Sequence, residues 1–308
     1  MENILITGVA GNIGASLARR ILKENRYNVI GVDNLSTGAL KNLPDCTKGF
    51  RFEQADVNNY QEIADIFHSV SIDWVFHFAA VVGVQRTLRK PLDVMRDIDG
   101  IKNILVLSKN TAVRRVFFSS SSEVYGEPVE IPQNEQSTPL NSRLPYAIVK
   151  NVGEAYFKSY HKEHGLDYTI FRFFNTYGPN QSFDFVIPKF IELALSNRPI
   201  PLYGSGVQTR TFCYIDDNVD TIFGCFSQNK FVNDTLNIGS DLEISIAELA
   251  TRITRLCKSS STREILPSLP EGDMTRRVPD ITKMRSVLGR ELIELDAGLA
   301  RTIDFLRR

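Results

Sequence analysis

The chain has 308 residues, of which 43% are hydrophobic and 23% are charged. This composition is typical of a globular protein with a sizeable core and excludes extensive disorder. Thirty-six basic residues balance 36 acidic ones, so no overall field attracts nucleic acid or an anionic membrane. The length allows one large domain or two closely packed ones, and we predict two.

Strand-like and helix-like segments alternate through the first half of the chain. Strands are predicted at Asn3–Thr7, Tyr27–Asp33, Phe50–Gln54, Trp74–Ala79, Val116–Ser119 and Tyr168–Phe173, and helices at Ile13–Leu22, Tyr60–Val70, Val94–Lys109 and Tyr146–His164. This alternation predicts an α/β protein with a Rossmann-type, doubly wound parallel sheet that is covered on both faces.

After residue 174 the alternation breaks. Prolines become frequent, and shorter helices are predicted at Val186–Leu195, Ile246–Cys257 and Ala297–Leu306. We therefore predict a first domain over residues 1–174 and a smaller C-terminal α/β domain over residues 175–308. Residues 211–240 are expected to return and pack on the first domain.

The N-terminal residues and the cysteines favour a cytoplasmic protein. The first apolar run is too short for a signal peptide, and no stretch reaches the roughly 18 apolar residues of a membrane span. Cys46, Cys213, Cys225 and Cys257 are far apart and lack the C-x-x-C spacing of a zinc or redox site. We expect reduced thiols, no metal, and neither a membrane nor a nucleic acid as partner.

A glycine-rich turn joins the first predicted strand to the first helix. Gly8, Gly11 and Gly14 follow the spacing G-x-x-G-x-x-G. In this location glycines allow a tight turn, close approach of a pyrophosphate to the backbone at a helix N-terminus, and packing of helix on strand. The alternative is that the glycines only end a strand, but their context favours a dinucleotide site in residues 1–174.

One acidic residue ends the second predicted strand, and another follows the third. Asp33 follows the last glycine by about 20 residues, where a carboxylate accepts hydrogen bonds from the adenosine ribose hydroxyls. It would repel a 2′-phosphate, which favours NAD over NADP; the alternative is a turn residue. Asp56 is placed to contact adenine or is an ordinary strand-end acid. We assign the NAD site to Gly8, Gly11, Asn12, Ile13, Gly14, Asp33, Asn34, Ser36, Gly38, Asp56, Val57, Phe78, Ala79, Ala80, Tyr146, Lys150 and Phe174.

A tyrosine and a lysine lie one helical turn apart on one face of a predicted helix. Tyr146 and Lys150 form a Y-x-x-x-K pair. A free tyrosine has a pKa near 10, but a neighbouring lysine cation and a positive nicotinamide ring favour the phenolate. Tyr146 could then take a proton from a sugar hydroxyl while hydride leaves the same carbon for NAD.

Four consecutive serines follow the strand before that helix. Ser119–Ser122 are expected at the carboxyl edge of the sheet, where ligands bind in such folds. One of their hydroxyls can share the hydrogen bond of the reacting hydroxyl. The alternative is a polar strand end.

Taken together, the motifs resemble the extended short-chain dehydrogenases/reductases of the nucleotide-sugar epimerase, dehydratase and decarboxylase group. The resemblance covers nearly the whole chain and rests on Thr7–Gly14, Phe78–Ala80, Ser121–Gly126, Tyr146–Lys150, Phe174–Pro179 and Tyr203–Arg210. It implies Ser121, Tyr146 and Lys150 as the catalytic set. It also implies a nucleotide-sugar site, UDP-linked by our expectation, between residues 175–308 and the serine run. Asn175 and Arg210 match positions that hold the sugar and diphosphate in the group, and Arg277 resembles a further nucleotide-contacting arginine. We assign the site with Ser121, Ser122, Asn175, Val186, Pro188, Tyr203, Arg210 and Arg277.

One position departs from the group's pattern. Where the group has Asn-Val-x-Gly-Thr, this chain has Asp97-Ile-Asp-Gly100-Ile101. An acid thus replaces an amide that supports the active site in relatives. The local hydrogen-bond network and the proton path are expected to differ here.

The resemblance implies a shared first step, oxidation of the sugar at C4, after which the reactions diverge. Epimerisation returns the hydride to the other face and needs no further acid or base, whereas decarboxylation loses CO2 and 4,6-dehydration needs a carboxylate base. Glu123, in Ser-Glu-Val-Tyr-Gly, resembles the UDP-glucuronate decarboxylases and some dehydratases, and could reach C5; it is otherwise a structural acid.

We favour a UDP-sugar 4-epimerase acting on a glucose/galactose, glucuronate or N-acetylated sugar. A UDP-glucuronate decarboxylase or an NDP-sugar 4,6-dehydratase is the alternative, and a non-catalytic NAD-binding scaffold a remote one. The helices at Val94–Lys109 and Tyr146–His164 are expected to form a four-helix bundle with a second copy, as in relatives, and so to give a homodimer.

Overall fold

The computed structural model describes residues 1–45, 48–83, 87, 89–204, 206–267 and 276–307. Its strands are β1 Glu2–Thr7, β2 Tyr27–Asp33, β3 Phe50–Gln54, β4 Trp74–His77, β5 Arg115–Ser121, β6 Asp167–Phe173, β7 Thr176–Tyr177, β8 Ile200–Tyr203, β9 Thr209–Thr211, β10 Cys213–Tyr214, β11 Asp234–Ile238, β12 Glu243–Ser245 and β13 Arg263–Leu266. Within these residues, a seven-stranded sheet has the order β11-β6-β5-β4-β1-β2-β3. All its neighbouring strands are parallel.

Helices cover both faces of this sheet. They are α1 Asn12–Leu22, α2 Tyr60–Ser69, α3 Pro91–Met95, α4 Asp97–Asn110, α5 Pro145–His164, α6 Val186–Leu195, α7 Ile215–Ser227, α8 Ile246–Cys257, α9 Thr282–Leu288 and α10 Leu295–Leu306. One apolar core joins α1 and α7 to one face, and a second joins α2, α4 and α5 to the other. This arrangement confirms the predicted doubly wound α/β fold.

Four predicted elements differ from the structure by two residues or more. Two of them have shifted ends, since β5 continues to Ser121 instead of Ser119 and α10 begins at Leu295 instead of Ala297. The helix expected at Val94–Lys109 is two helices that meet at Arg96, and α3 starts at Pro91. The strand expected to end at Ala79 ends at His77, because the backbone N–H groups of Phe78 and Ala79 both turn to the Thr7 hydroxyl, at 3.1 and 3.2 Å.

The second half of the chain contributes both to the parallel sheet and to a region of short strand pairs apart from it. β11 extends the parallel sheet beside β6, and α7 packs against α1. The pairs β8–β13 and β9–β12 lie apart from this sheet and pack with α8. In the described part of the chain, none of the helices is both long and apolar enough to cross a membrane. Cys213, Cys225 and Cys257 are unpaired buried thiols, and Cys46 lies outside the described residues.

Candidate active site

A cleft of about 600 Å³ runs along the carboxyl edge of the sheet. It is open at the ends of β1, β2 and β5, where parallel α/β sheets bind ligands. Most of the predicted site residues line it, namely Gly8, Gly11, Asn12, Ile13, Gly14, Asp33, Asn34, Ser36, Asp56, Val57, Phe78, Ala79, Ala80, Ser121, Ser122, Glu123, Tyr146, Lys150, Phe174, Asn175, Val186 and Arg277. Residues far apart in the sequence thus meet in one place.

Four predicted residues are not among the described residues that line the cleft. Gly38 packs behind the turn, where an added Cβ would lie 2.7 Å from that of Ala10. Pro188 is buried in α6, and Tyr203 ends β8, which is paired to β13. Arg210 lies in β9, where its Nη1 donates to the Thr209 carbonyl at 2.7 Å. Ser205, in the same motif, lies outside the described residues.

The glycine turn fits a dinucleotide. Gly8 has a φ of +73°, and a Cβ there would lie 2.7 Å from the backbone nitrogen of Ala79. A Cβ on Gly14 would lie 2.3 Å from the Gly8 carbonyl oxygen. α1 begins after Gly11 with no side-chain cap, so its first N–H groups are left for an anion. Asn12 Oδ1 is buried there without a hydrogen-bond partner.

Asp33 is held rigidly at the next strand end. One carboxylate oxygen accepts from the Ala10 N–H at 2.9 Å and the other from the Leu35 N–H at 2.8 Å. Burial raises the pKa of Asp33, and these two hydrogen bonds oppose the rise. Each oxygen keeps a second lone pair for a ligand hydroxyl.

The catalytic candidates come from β5 and the start of α5. Ser121 ends β5, and its Oγ accepts from the Glu123 N–H at 3.2 Å. Pro145 occupies the first turn of α5, a favoured position for proline, and Tyr146 follows it at the N-terminus of the helix. Lys150 follows one turn later, with Nζ 5.7 Å from the Tyr146 ring centre. Both side chains face the cleft.

The surroundings raise the pKa of Tyr146, whereas we expected it to be lowered. Burial is the main cause, and the charges of Glu123 and Asp97 add to it. A hydrogen bond with the Ser121 hydroxyl and the charge of Arg277 act in the other direction. The phenol is therefore neutral at physiological pH in this cleft.

Lys150 is a buried amine behind the cleft surface. It is 3% exposed, with Nζ 3.5 Å from Ser119 Oγ and 5.0 Å from the Phe118 ring centre. Burial lowers the pKa of Lys150 to about 8, although the charge of Asp97 raises it. A lysine with this pKa changes its charge just above neutrality.

Asp97, the residue that departs from the family pattern, faces this cation in the cleft. Its Oδ2 accepts from the Val81 N–H at 2.8 Å, at the start of α4. Burial raises the pKa of Asp97, while the Val81 bond and the Lys150 charge oppose the rise. The carboxylate thus acts on both candidate catalytic groups.

Glu123 and Arg277 meet in the cleft. Arg277 Nη1 lies 3.5 Å from Glu123 Oε1, and the arginine side chain is 7% exposed. The two residues come from a 3₁₀ turn after β5 and from a segment before α9, far apart in the sequence.

The sequence interpretation missed part of the cleft wall. Phe183 and Gln181 line it from the segment before α6, and Phe305 and Leu306 line it from the end of α10. Gln181 Oε1 is buried without a hydrogen-bond partner, a sign of a polar ligand. For Phe183 and Gln181, the only signal in the sequence was the proline-rich stretch after the Asn175 motif. For Phe305 and Leu306, the sequence of α10 gave no signal.

The cleft fits a dinucleotide and contains a serine, a tyrosine and a lysine. This combination is typical of enzymes that transfer hydride between a substrate and a nicotinamide. The model of the NAD dependent epimerase/dehydratase family matches residues 4–239. The chain belongs to this family, and its cofactor is NAD. This confirms the resemblance seen in the sequence motifs.

Similar proteins perform different reactions. The UDP-glucuronate 4-epimerase of Thermodesulfobacterium geofontis is 33% identical over 317 residues, which cover 99% of this chain and 96% of that protein. UDP-glucuronic acid decarboxylase 6 of Arabidopsis thaliana is 32% identical over 304 residues, covering 96% and 86%. The crystal structure of UDP-glucuronic acid 4-epimerase from Bacillus cereus, with UDP-glucuronic acid and NAD, has a TM-score of 0.90 at 29% identity and covers 99% of both chains.

Proposed function

We propose that this enzyme interconverts the C4 epimers of a UDP-linked hexuronate, with UDP-glucuronate as its substrate. The proposal rests on one observation: Arg277 is a buried guanidinium that lines the cleft beside Glu123. A guanidinium in such a place binds a carboxylate well. UDP-glucuronate is the substrate named for both relatives at about one-third identity.

The residues of the cleft divide the work of binding and proton transfer. The glycine turn and the N-terminus of α1 would hold the diphosphate of NAD, Asp33 its adenosine ribose, and Lys150 its nicotinamide ribose. When bound, NAD would supply the hydride acceptor and donor for C4. Tyr146 would take the proton of the C4 hydroxyl as a phenolate, the form that the Lys150 cation and the positive nicotinamide ring of bound NAD favour. Ser121 would share the hydrogen bond of that hydroxyl.

Epimerisation is favoured over 4,6-dehydration because it needs no further acid or base. The carboxylate of Glu123 is engaged by Arg277, whose Nη1 lies 3.5 Å from Oε1. Ser122, where many dehydratases carry an aspartate, is a buried hydroxyl and has no acidic proton to give at neutral pH. Loss of water from C6 therefore lacks its acid.

Decarboxylation is the second candidate. A ketone at C4 of a hexuronate is β to the carboxylate, and such acids lose CO2 without a further catalytic group. The presence of Glu123 in the cleft favours this candidate, because the same Ser-Glu-Val-Tyr-Gly run resembles the UDP-glucuronate decarboxylases.

Product mass separates the candidates. The protein is incubated with NAD and UDP-glucuronate, UDP-glucose or UDP-N-acetylglucosamine, with Tyr146→Phe protein as the blank. We expect a new isomer of unchanged mass from UDP-glucuronate. Loss of CO2 makes the enzyme a decarboxylase, loss of water makes it a dehydratase, and absence of any product or NADH absorbance with every sugar supports the scaffold alternative.

We further propose a homodimer that forms a four-helix bundle from α4 and α5 of each copy. The two helices pack side by side, and Ile148 on α5 is an apolar side chain with 39% exposure. A monomer in light scattering at micromolar concentration would contradict the proposal.

We also propose that residues 1–174 with 211–240 form the NAD-binding domain, that residues 175–308 otherwise form the substrate domain, and that the protein is cytoplasmic. The place of β11 beside β6 supports the division, and the three buried thiols support the location. Limited proteolysis tests the division, and fractionation of the native cells tests the location.

A further inference from the structure

A buried hydroxyl behind the cleft anchors the 3₁₀ turn that carries Glu123. Tyr125, two residues later in the same turn, is 1% exposed. Its hydroxyl donates to Asn237 Oδ1 at 2.7 Å and accepts from Arg172 Nη1 at 2.9 Å. Arg172 is itself fixed by two hydrogen bonds to Glu154, at 2.9 and 2.7 Å. The Tyr125 hydroxyl is thus one anchor of the turn, beside the Val124 carbonyl, which accepts from the Asn141 N–H at 3.1 Å and from Ser142 Oγ at 2.9 Å.

The amide of Asn237 joins this turn to the segment that carries Arg277. Asn237 lies on β11 and is 0% exposed. Its Nδ2 donates to the carbonyl oxygens of Gln133 at 2.9 Å and Asp280 at 3.2 Å. Gln133 also pairs with that segment, since its N–H donates to the Val278 carbonyl at 2.7 Å and its carbonyl accepts from the Asp280 N–H at 2.8 Å. One buried amide thus holds both chain segments.

The two segments meet again in the cleft, where Arg277 Nη1 lies 3.5 Å from Glu123 Oε1. Tyr125 and Asn237 are not among the described residues that line the cleft, so they act on it only through their neighbours. We propose that Tyr125 and Asn237 are positioning residues that set the separation of Glu123 and Arg277, and with it the binding of the sugar. The proposal rests on the proposed function only for the identity of that sugar.

The substitution Tyr125→Phe tests the proposal, because it keeps the ring and removes both hydrogen bonds. We expect the KM for UDP-glucuronate to rise about fivefold with kcat within about twofold, since a buried hydrogen bond is worth about that factor in an equilibrium constant. In an Arg277→Gln background the same substitution should have no further effect on KM, because the group that it positions is gone.

Thr169→Val is the matched control. Thr169 also gives a buried arginine a hydroxyl partner, accepting from Arg115 Nε at 2.8 Å, but it lies near the other end of β6. We expect KM within about twofold of wild type. A similar rise for Thr169→Val, or a fivefold effect of Tyr125→Phe that persists beside Arg277→Gln, would make the effect one of general stability and overturn the proposal.

Hydrogen exchange of the free protein tests the same idea without a substrate. We expect the amides of Gln133 and Asp280 to exchange about fivefold faster in Tyr125→Phe, and at the wild-type rate in Thr169→Val. Unchanged exchange in Tyr125→Phe overturns the positioning role. If wild-type protein does not turn over UDP-glucuronate, the proposed function fails while this measurement still decides the inference.

Discussion

The buried carboxylate of Glu154 supports the serine end of the active site from behind. Glu154 is 1% exposed, and its Oε1 accepts from the Ser120 hydroxyl at 2.6 Å and from Arg172 Nε at 2.9 Å. Its Oε2 accepts from Arg172 Nη2 at 2.7 Å. Ser120 precedes the catalytic candidate Ser121. The ion pair of Glu154 and Arg172 therefore stabilises the fold and also holds the strand end that carries Ser121.

We predict that Glu154→Gln destabilises the protein by about 3 kcal/mol at pH 7. The substitution keeps the shape and one acceptor, but it leaves the Arg172 cation buried without its counter-charge and turns an NH2 group toward the guanidinium. Loss of one partner of a buried pair costs about 3–5 kcal/mol, and the remaining amide oxygen places this case at the lower end. Such a loss is a large part of the roughly 5–15 kcal/mol that keeps a domain folded.

Urea unfolding, followed by the fluorescence of the single tryptophan Trp74, measures this loss as a lower midpoint at an unchanged slope. Lys158→Gln is the control, because Lys158 Nζ lies 3.6 Å from the same carboxylate but is exposed. An exposed partner contributes only about 0–1 kcal/mol. A loss below about 1 kcal/mol for Glu154→Gln, or an equal loss for the control, would refute the reasoning.

The same pair gives a pH dependence with a defined sign. Burial raises the pKa of Glu154, but the hydrogen bonds and charge of Arg172 outweigh it and lower the pKa below 4.5. A lowered pKa contributes stability that is present above the unfolded-state pKa and is lost as the pH falls through the folded-state value. The difference between wild type and Glu154→Gln should therefore be constant from about pH 8 to 5 and shrink below about pH 4.5. A constant difference at low pH would contradict this.

Two further substitutions test the cofactor and proton-transfer ends of the cleft. Gly14→Ala should weaken NAD binding at least about tenfold in calorimetry, since its Cβ would lie 2.3 Å from the Gly8 carbonyl oxygen; an unchanged affinity contradicts the close approach. Asp97→Asn should move both limbs of the pH profile of kcat to lower pH, because Asp97 raises the pKa of both Tyr146 and Lys150. Limbs that stay at their wild-type pH would show that Asp97 acts on neither group.

Local sequence signals predict the fold well where they are strong. The apolar runs on either side of the glycine turn predict β1 and α1 to within one residue, and the period of Val186–Leu195 predicts α6 without error. The break at Arg96 was not predictable, because the residue has ordinary helical dihedrals and neither proline nor glycine marks it.

The sequence predicts which residues form the site, but it does not predict how their surroundings shift their pKa values. The spacing of the motifs was enough to predict that Ser121, Tyr146 and Lys150 lie together, and all three line the cleft. The raised pKa of Tyr146 could not be predicted, because burial depends on the whole fold and Glu123 approaches through tertiary structure. Phe305 reaches the cleft from the last helix, and an amphipathic pattern does not show what its exposed face contacts.

Arg277 should decide the fate of the oxidised sugar under the proposed function. A C4 ketone of a hexuronate can lose CO2 unaided, so an epimerase has to keep the carboxylate in place. Charge moves from the carboxylate toward the C4 oxygen as CO2 leaves, and a guanidinium bound to the carboxylate therefore stabilises the starting acid more than the transition state. Arg277 is buried, which strengthens this effect. Arg277→Gln should thus raise the decarboxylated share of the product at least about threefold, while a share equal to wild type would show that Arg277 does not hold the acid.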